Sequence, residues 1–242
     1  MGSDGYHGAT HRVRWREGIW MKPLEVLGTA TTPDGSRFEL QHHDGHYVIR
    51  ADGYDLMTSY AHSSEDAMMS LACPEPPADA CVLVGGLGMG YTAAATLAMV
   101  PPQGKVVVAE IMPEVVGWNR GPLGPLAGNP LDDRRTELFL GDVADAIRGS
   151  EARFDAILLD VDNSVDSFSL SRNAWLYTPE GLASIHRALR PGGALAIWSV
   201  GTQTTFERML RKAGFTPTTH RIRERNKRGG HFSVLVGRAT SV

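Results

Sequence analysis

The sequence predicts an α/β fold: a doubly wound, mostly parallel sheet that ends in a C-terminal antiparallel hairpin and is preceded by a small N-terminal β unit. Three observations carry this. From residue 80 onward, short continuous apolar segments alternate with amphipathic helical ones, the pattern of a parallel sheet covered on both faces. The first apolar segment runs directly into the glycine-rich stretch GGLGMG at 85–90 and then into a helix. Before residue 60 the chain is instead cut into short alternating pieces by DG dipeptides, a hairpin signal.

In chain order, residues 1–20 are polar and lack periodicity, so they read as a flexible arm or a non-native remnant. Residues 21–75 form the small unit. Strands are predicted at 26–30, 37–42 and 46–50, separated by PDG (33–35) and HDG (43–45), with ADG (51–53) following. A helix is predicted over 63–72, with Ser63 or Ser64 as its cap and Glu65 and Asp66 in its first turn. The stretch CPEPPAD (73–79) is a linker, and 76–242 form the large domain. Its strands are predicted at 80–84, 105–110, 137–140, 154–160 and 194–200, and its helices at 91–99, 113–120, 143–149, 179–189 and 204–213. Two final strands, 216–223 and 231–237, flank the polar turn RERNKRGG (223–230) and close the sheet as a hairpin.

Of the 242 residues, 42% are hydrophobic and 21% charged, an ordinary globular composition. A net charge of −3 argues against general affinity for nucleic acid, which needs clustered basic surface. No segment has the length of a membrane span and the N-terminus has no apolar signal core, so a cytoplasmic protein without membrane association is expected. Cys73 and Cys81 are too few for a disulfide framework and lack the company of a metal site; Cys81, opening an apolar run, reads as a buried reduced thiol. No metal is expected.

The ligand edge of such a sheet lies outside the carboxyl ends of its strands. There Gly86, Gly88 and Gly90 are spaced G-x-G-x-G, and Gly86 and Gly88 are expected to let the backbone turn sharply and approach a ligand closely. The next strand ends in Glu110, a carboxylate able to accept both ribose hydroxyls of an adenosine. The third ends in Gly141–Asp142, placing Asp142 and Val143 beside an adenine amino group. Two acids at successive strand ends after a glycine loop favour a nucleoside over the bland reading of polar strand ends. The glycine spacing differs from the G-x-G-x-x-G of dinucleotide sites, which disfavours NAD. Glu110 is read as a ligand group alone, so Glu110→Gln is expected to spare the fold.

With the β unit, GGLGMG, Glu110, Gly141–Asp142, FDAILLDVDN (154–163) and LRPGGALAIWS (189–199) in view, residues 24–242 resemble the spermidine synthase-like branch of the class I methyltransferase fold. The resemblance implies S-adenosylmethionine (SAM), or decarboxylated S-adenosylmethionine, as co-substrate, a small-molecule acceptor such as a polyamine, and a homodimer built through the N-terminal β unit. The sequence departs from the family at three places. Met89 stands where spermidine synthases resemble one another in a glycine-loop aspartate that selects the donor's free amine. Asn163 and Ser164 replace the second acid and the proline of the motif after strand four, whose first acid is Asp160. The family's Tyr-His-Glu triplet has SSED (63–66) as its nearest counterpart.

Asp160 and Asp162 are the candidate catalytic residues, able to orient an amine or take its proton; Asp160 also borders the donor. Asp162 reads equally as a turn residue and Asn163 as an Asx turn. The aperiodic stretch 164–177 resembles a lid or acceptor wall, although Trp175 and Tyr177 on it read more simply as packing residues. Trp198 and Ser199 fall on the ligand edge; His42, His43 and His46 read as a solvated turn, and His62 has a possible acceptor-facing place. Loss of the loop aspartate favours full SAM, so the expected function is a SAM-dependent transferase methylating a small nucleophilic metabolite. The alternatives are an aminopropyltransferase using decarboxylated SAM, a lyase or cyclase acting on SAM itself, and a non-catalytic SAM-binding protein.

Overall fold

In a computed structural model, residues 24–32, 35–160, 172–199, 204–223 and 231–240 are described. Two sheets organise them. The N-terminal sheet is antiparallel in the order β1 (Glu25–Thr31), β2 (Arg37–His43), β3 (His46–Ala51) and β4 (Tyr54–Thr58). Its β2–β3 and β3–β4 turns place both central residues at positive φ, Asp44 with Gly45 and Asp52 with Gly53, as the DG dipeptides require. β4 was not among the predicted strands, although ADG marks the turn that creates it.

The second sheet has the order β10-β11-β9-β8-β5-β6-β7. Here β5 is Cys81–Gly85, β6 Lys105–Glu110, β7 Thr136–Leu140, β8 Phe154–Leu159, β9 Leu189–Ser199, β10 Phe215–Arg223 and β11 His231–Ala239. β5 to β9 pair in parallel, while β11 is antiparallel to both β9 and β10, the predicted closing hairpin. Strand order reverses at β5, which lies between β6 and β8, so a ligand crevice is expected at its carboxyl end.

Alternation along the strands sorts the core into two faces. Val82, Val84, Val106, Val108, Ala156 and Leu158 point toward α1 (Ser63–Ala72), α2 (Tyr91–Met99), α3 (Pro113–Asn119) and the N-terminal sheet. Leu83, Val107, Ile157, Leu159 and Leu195 point toward α4 (Val143–Arg148), α5 (Pro179–Ala188) and α6 (Thr204–Lys212). Cys81 is a buried free thiol whose pKa burial raises. Among the described residues no helix is long and apolar enough to cross a membrane.

Two local expectations are corrected. The helix at 63–72 has His62 as its N-cap and no side-chain capping bond, so neither Ser63 nor Ser64 caps it. β9 starts at Leu189, earlier than predicted: Leu189 already pairs with Phe154, and the register shifts, with Gly192 at positive φ, before Ala194 pairs with Ala156. Trp175 lies under the Arg148 guanidinium, 3.8 Å from ring centroid to Cζ, and Tyr177 is buried edge-on against Phe206, so both pack, as the sequence reading favoured.

The N-terminal sheet docks through β1. At Gly28 a Cβ would lie 2.5 Å from Nε1 of Trp118, a buried α3 side chain. Gly28→Ala therefore forces the indole or the strand to move, an overpacking cost of roughly 1–3 kcal/mol. A thermal scan should show a melting temperature lowered by about 2–10 °C; an unchanged value contradicts this docking.

Candidate active site

All five residues of β5 are buried, and the chain leaves the strand at Gly85 into a loop where Gly86, Gly88 and Gly90 have φ of 90°, 51° and 86°. Only glycine enters this region of φ without strain, which explains the G-x-G-x-G spacing. The loop is tied on both sides: Gly86 N–H donates to Ala109 O at the end of β6, and Asp160 N–H donates to Gly85 O. A Cβ at Gly88 would lie 2.6 Å from Sδ of Met57 in β4, and one at Gly90 would meet Asn119 and Pro130.

Glu110 closes the loop from below. One carboxylate oxygen accepts Leu87 N–H at 3.0 Å and the other accepts Met112 N–H at 2.8 Å. The side chain is only 7% exposed, and burial pushes its pKa above the ordinary 4.5 against the pull of four backbone N–H groups. Each oxygen has a second lone pair, so a ribose diol can still bind there. Close by, Ile111, Phe139 and Leu140 stay partly exposed at the ends of β6 and β7, apolar surface suited to a base. These residues fit an adenosine, and the expectation that Glu110 serves a ligand alone is corrected: it also holds the loop.

Asp142 caps α4, its Oδ1 accepting Ala144 N–H at 2.8 Å, while the Val143 side chain packs against Gly85. Any contact of Val143 with a base must therefore come from its backbone. Asp160 follows β8, and its Oδ2 accepts the hydroxyl of Thr92, a buried α2 residue, at 2.7 Å. Asp162, with Asn163 and Ser164, lies outside the described residues.

A small, open cleft lies beside the loop, lined by Met57, Thr58, Glu65, Leu87, Met89, Tyr91 and Asp160. Sequence reading reached Met89 and Asp160 but missed Met57, Thr58 and Tyr91 as lining residues, and met Glu65 only as a first-turn acid within SSED, the nearest counterpart of the family's triplet. The ADG turn was the available signal, since it predicts a further strand carrying Met57 and Thr58. His62 stacks on Tyr91 at 3.9 Å and 9°, with its Nδ1 3.0 Å from Asp66. The Tyr91 hydroxyl donates to Ser59 O, and burial, then Asp66 and Glu65, raise its pKa. His42 packs on Tyr47 and His46 on Tyr60, and among the described residues no group of three or more His, Cys, Asp or Glu is placed to hold a metal.

This arrangement can be set beside known proteins. A family profile described as S-adenosyl-L-methionine-dependent methyltransferase matches residues 129–234. A polyamine aminopropyltransferase of Korarchaeum cryptofilum is 25% identical over 179 residues, covering 73% of this chain and 52% of that protein. One from Nitrosomonas europaea is 35% identical over 115 residues, 48% of this chain and 34% of that protein. The crystal structure of spermidine synthase from Thermotoga maritima superimposes over 88% of this chain and 72% of its own, with a TM-score of 0.66 and 20% identity. A spermidine synthase in complex with the transition-state analogue AdoDATO does so over 88% and 73%, with a TM-score of 0.69 and 19% identity. The chain has the spermidine synthase-like class I methyltransferase fold. It spans about half the length of the first of these curated relatives and a third of the second.

Within that fold, Glu110 gives two tests. In Glu110→Gln an amide NH2 must face Leu87 N–H or Met112 N–H, so stability as well as binding should fall, by about 1–3 kcal/mol for the unmade bond. A variant with unchanged melting temperature contradicts this double role. The pH dependence has a fixed sign: protonated Glu110 has one fewer accepting oxygen for the diol. Calorimetry with 5′-methylthioadenosine should show affinity falling as pH drops, through a midpoint above 4.5.

Proposed function

We propose that the chain is an aminopropyltransferase that uses decarboxylated S-adenosylmethionine and a small aliphatic amine. The observation that carries this is the charge of the cleft. Glu65 from α1 and Asp160 from the end of β8 both line it, and none of its described lining residues is a lysine or arginine. Two carboxylates in a partly desolvated site repel each other and any further anion, and favour an ammonium group. The decarboxylated donor is wholly cationic at this end, whereas the carboxylate of full SAM meets two like charges. Leu87, Met57 and Met89 add an apolar wall suited to an alkyl chain. The similarity to two polyamine aminopropyltransferases supports this reading.

The methyl-transfer expectation rested on Met89 in the glycine loop. Met89 does line the cleft, but Glu65 supplies a carboxylate from a different element, so loss of the loop acid leaves the site acidic. Methyl transfer from SAM stands as the second reading, favoured by Met89 and by the matched methyltransferase profile.

When bound, the donor supplies a carbon bonded to sulfonium sulfur: the amine nitrogen forms a C–N bond to it, the S–C electron pair passes to sulfur, and the nitrogen releases a proton. The chain's residues do the rest. Glu110 and the glycine loop hold the nucleoside end and fix its distance from Asp160. Thr92 pins one oxygen of Asp160, which orients the carboxylate to accept the amine proton. Glu65 neutralises the remaining ammonium charge.

Incubation with decarboxylated SAM and 1,4-diaminobutane should give the aminopropylated amine and 5′-methylthioadenosine by mass spectrometry. Asp160→Asn should retain 5′-methylthioadenosine affinity within about threefold while turnover falls roughly a hundredfold or more. Methylated amine with SAM, and none of the aminopropyl product, selects the second reading.

A further inference from the structure

Helix α1 begins with a sequence rich in capping residues, yet none of their side chains caps it. Their polar groups are committed elsewhere. Asp66 faces His62, and Ser64, only 2% exposed, sits between two distant partners. The indole Nε1–H of Trp198, near the end of β9, donates to Ser64 Oγ at 2.9 Å. The Ser64 hydroxyl in turn donates to Glu65 Oε2 at 2.5 Å. An indole only donates and a hydroxyl has a single proton, so the direction of this chain is fixed: Trp198 to Ser64 to Glu65. Each bond polarises the next. The ring of Trp198 is itself seated against Phe232 of β11, at 5.6 Å between centroids.

We propose that Trp198 and Ser64 are positioning residues that hold the Glu65 carboxylate in the cleft as the ammonium-binding group for the amine acceptor, an assignment that rests on the aminopropyl-transfer reading. The relay carries positional information from the nucleoside-binding sheet into a helix of the N-terminal region. A carboxylate on a free first-turn glutamate samples several rotamers; one that accepts a short bond from a buried hydroxyl keeps the orientation of its other oxygen. Burying Ser64 without a cap is then explained by what it does for Glu65. Neither Trp198 nor Ser64 lines the cleft, so neither has to touch the substrate.

The test is a double-mutant cycle on the full chain, with decarboxylated SAM and 1,4-diaminobutane as substrates. Trp198→Phe keeps an aromatic ring and removes the N–H together with part of the indole's bulk. It should raise KM for the diamine about three- to tenfold with kcat within about twofold, and leave 5′-methylthioadenosine affinity unchanged. Glu65→Gln should raise the same KM by about tenfold or more. The double variant Glu65→Gln/Trp198→Phe should be no worse than Glu65→Gln alone, because the relay has nothing left to position. Ser64→Ala should match Trp198→Phe; should it fail to fold, the other three proteins complete the cycle. Additive effects in the double variant, or a loss in kcat at unchanged KM, overturn the assignment while leaving aminopropyl transfer intact. A wild-type chain that binds 5′-methylthioadenosine but aminopropylates no amine overturns the functional reading, and this assignment with it.

Discussion

The structure turns on a buried carboxylate that bridges two chain segments. Glu110 accepts Leu87 N–H with one oxygen and Met112 N–H with the other, joining the glycine loop after β5 to the end of β6 at the point where strand order reverses. Burying a carboxylate is costly unless it is hydrogen-bonded, and here a backbone donor meets each oxygen. The loop so fixed is the platform for much else. Met57 of β4 rests on Gly88, and Asn119 of α3 donates to Gly88 O at 2.8 Å. The N-terminal sheet reaches the crevice beside this loop, with Met57 over the bare Cα of Gly88. The nucleoside edge and the acidic cleft are two sides of one loop.

That geometry decides the electrostatics. Asp160 arrives from the large sheet and Glu65 from α1, so the cleft draws its charge from both parts of the molecule. Each acid is held by a hydroxyl from a nearly buried residue, Thr92 for Asp160 and Ser64 for Glu65. Such bonds fix where the carboxylates point. A cation with an aliphatic chain satisfies both the charges and the methionine-lined wall. The cleft thus stays acidic without an acid in its glycine loop.

Much of the fold was legible because its signals are local. α2 and β6 fall on the predicted residues: glycine at position 90 starts the helix, and Pro113 opens the helix that follows β6. Glu110 was found because a strand end is readable from periodicity, but its second role was not, since the N–H groups it accepts belong to a loop 23 residues away and to its own turn. β4 was missed although YDLMT alternates, because two strands and a turn already complete a hairpin. The errors at the site share one cause. Ser64 reads as a cap by every local rule, yet its donor, Trp198, lies 134 residues on, and nothing near Gly88 announces Met57. Side chains recruited across elements leave no trace in spacing.

The central claim is that the cleft selects a donor with a purely cationic tail. Calorimetric titration of the same protein with decarboxylated S-adenosylmethionine and with S-adenosylmethionine tests it most directly, since the two share every contact at the nucleoside end. The account predicts that the decarboxylated donor binds at least about tenfold more tightly, with the gap narrowing in Glu65→Gln as one repelling charge is removed. Equal affinities, or a preference for the full donor, contradict it.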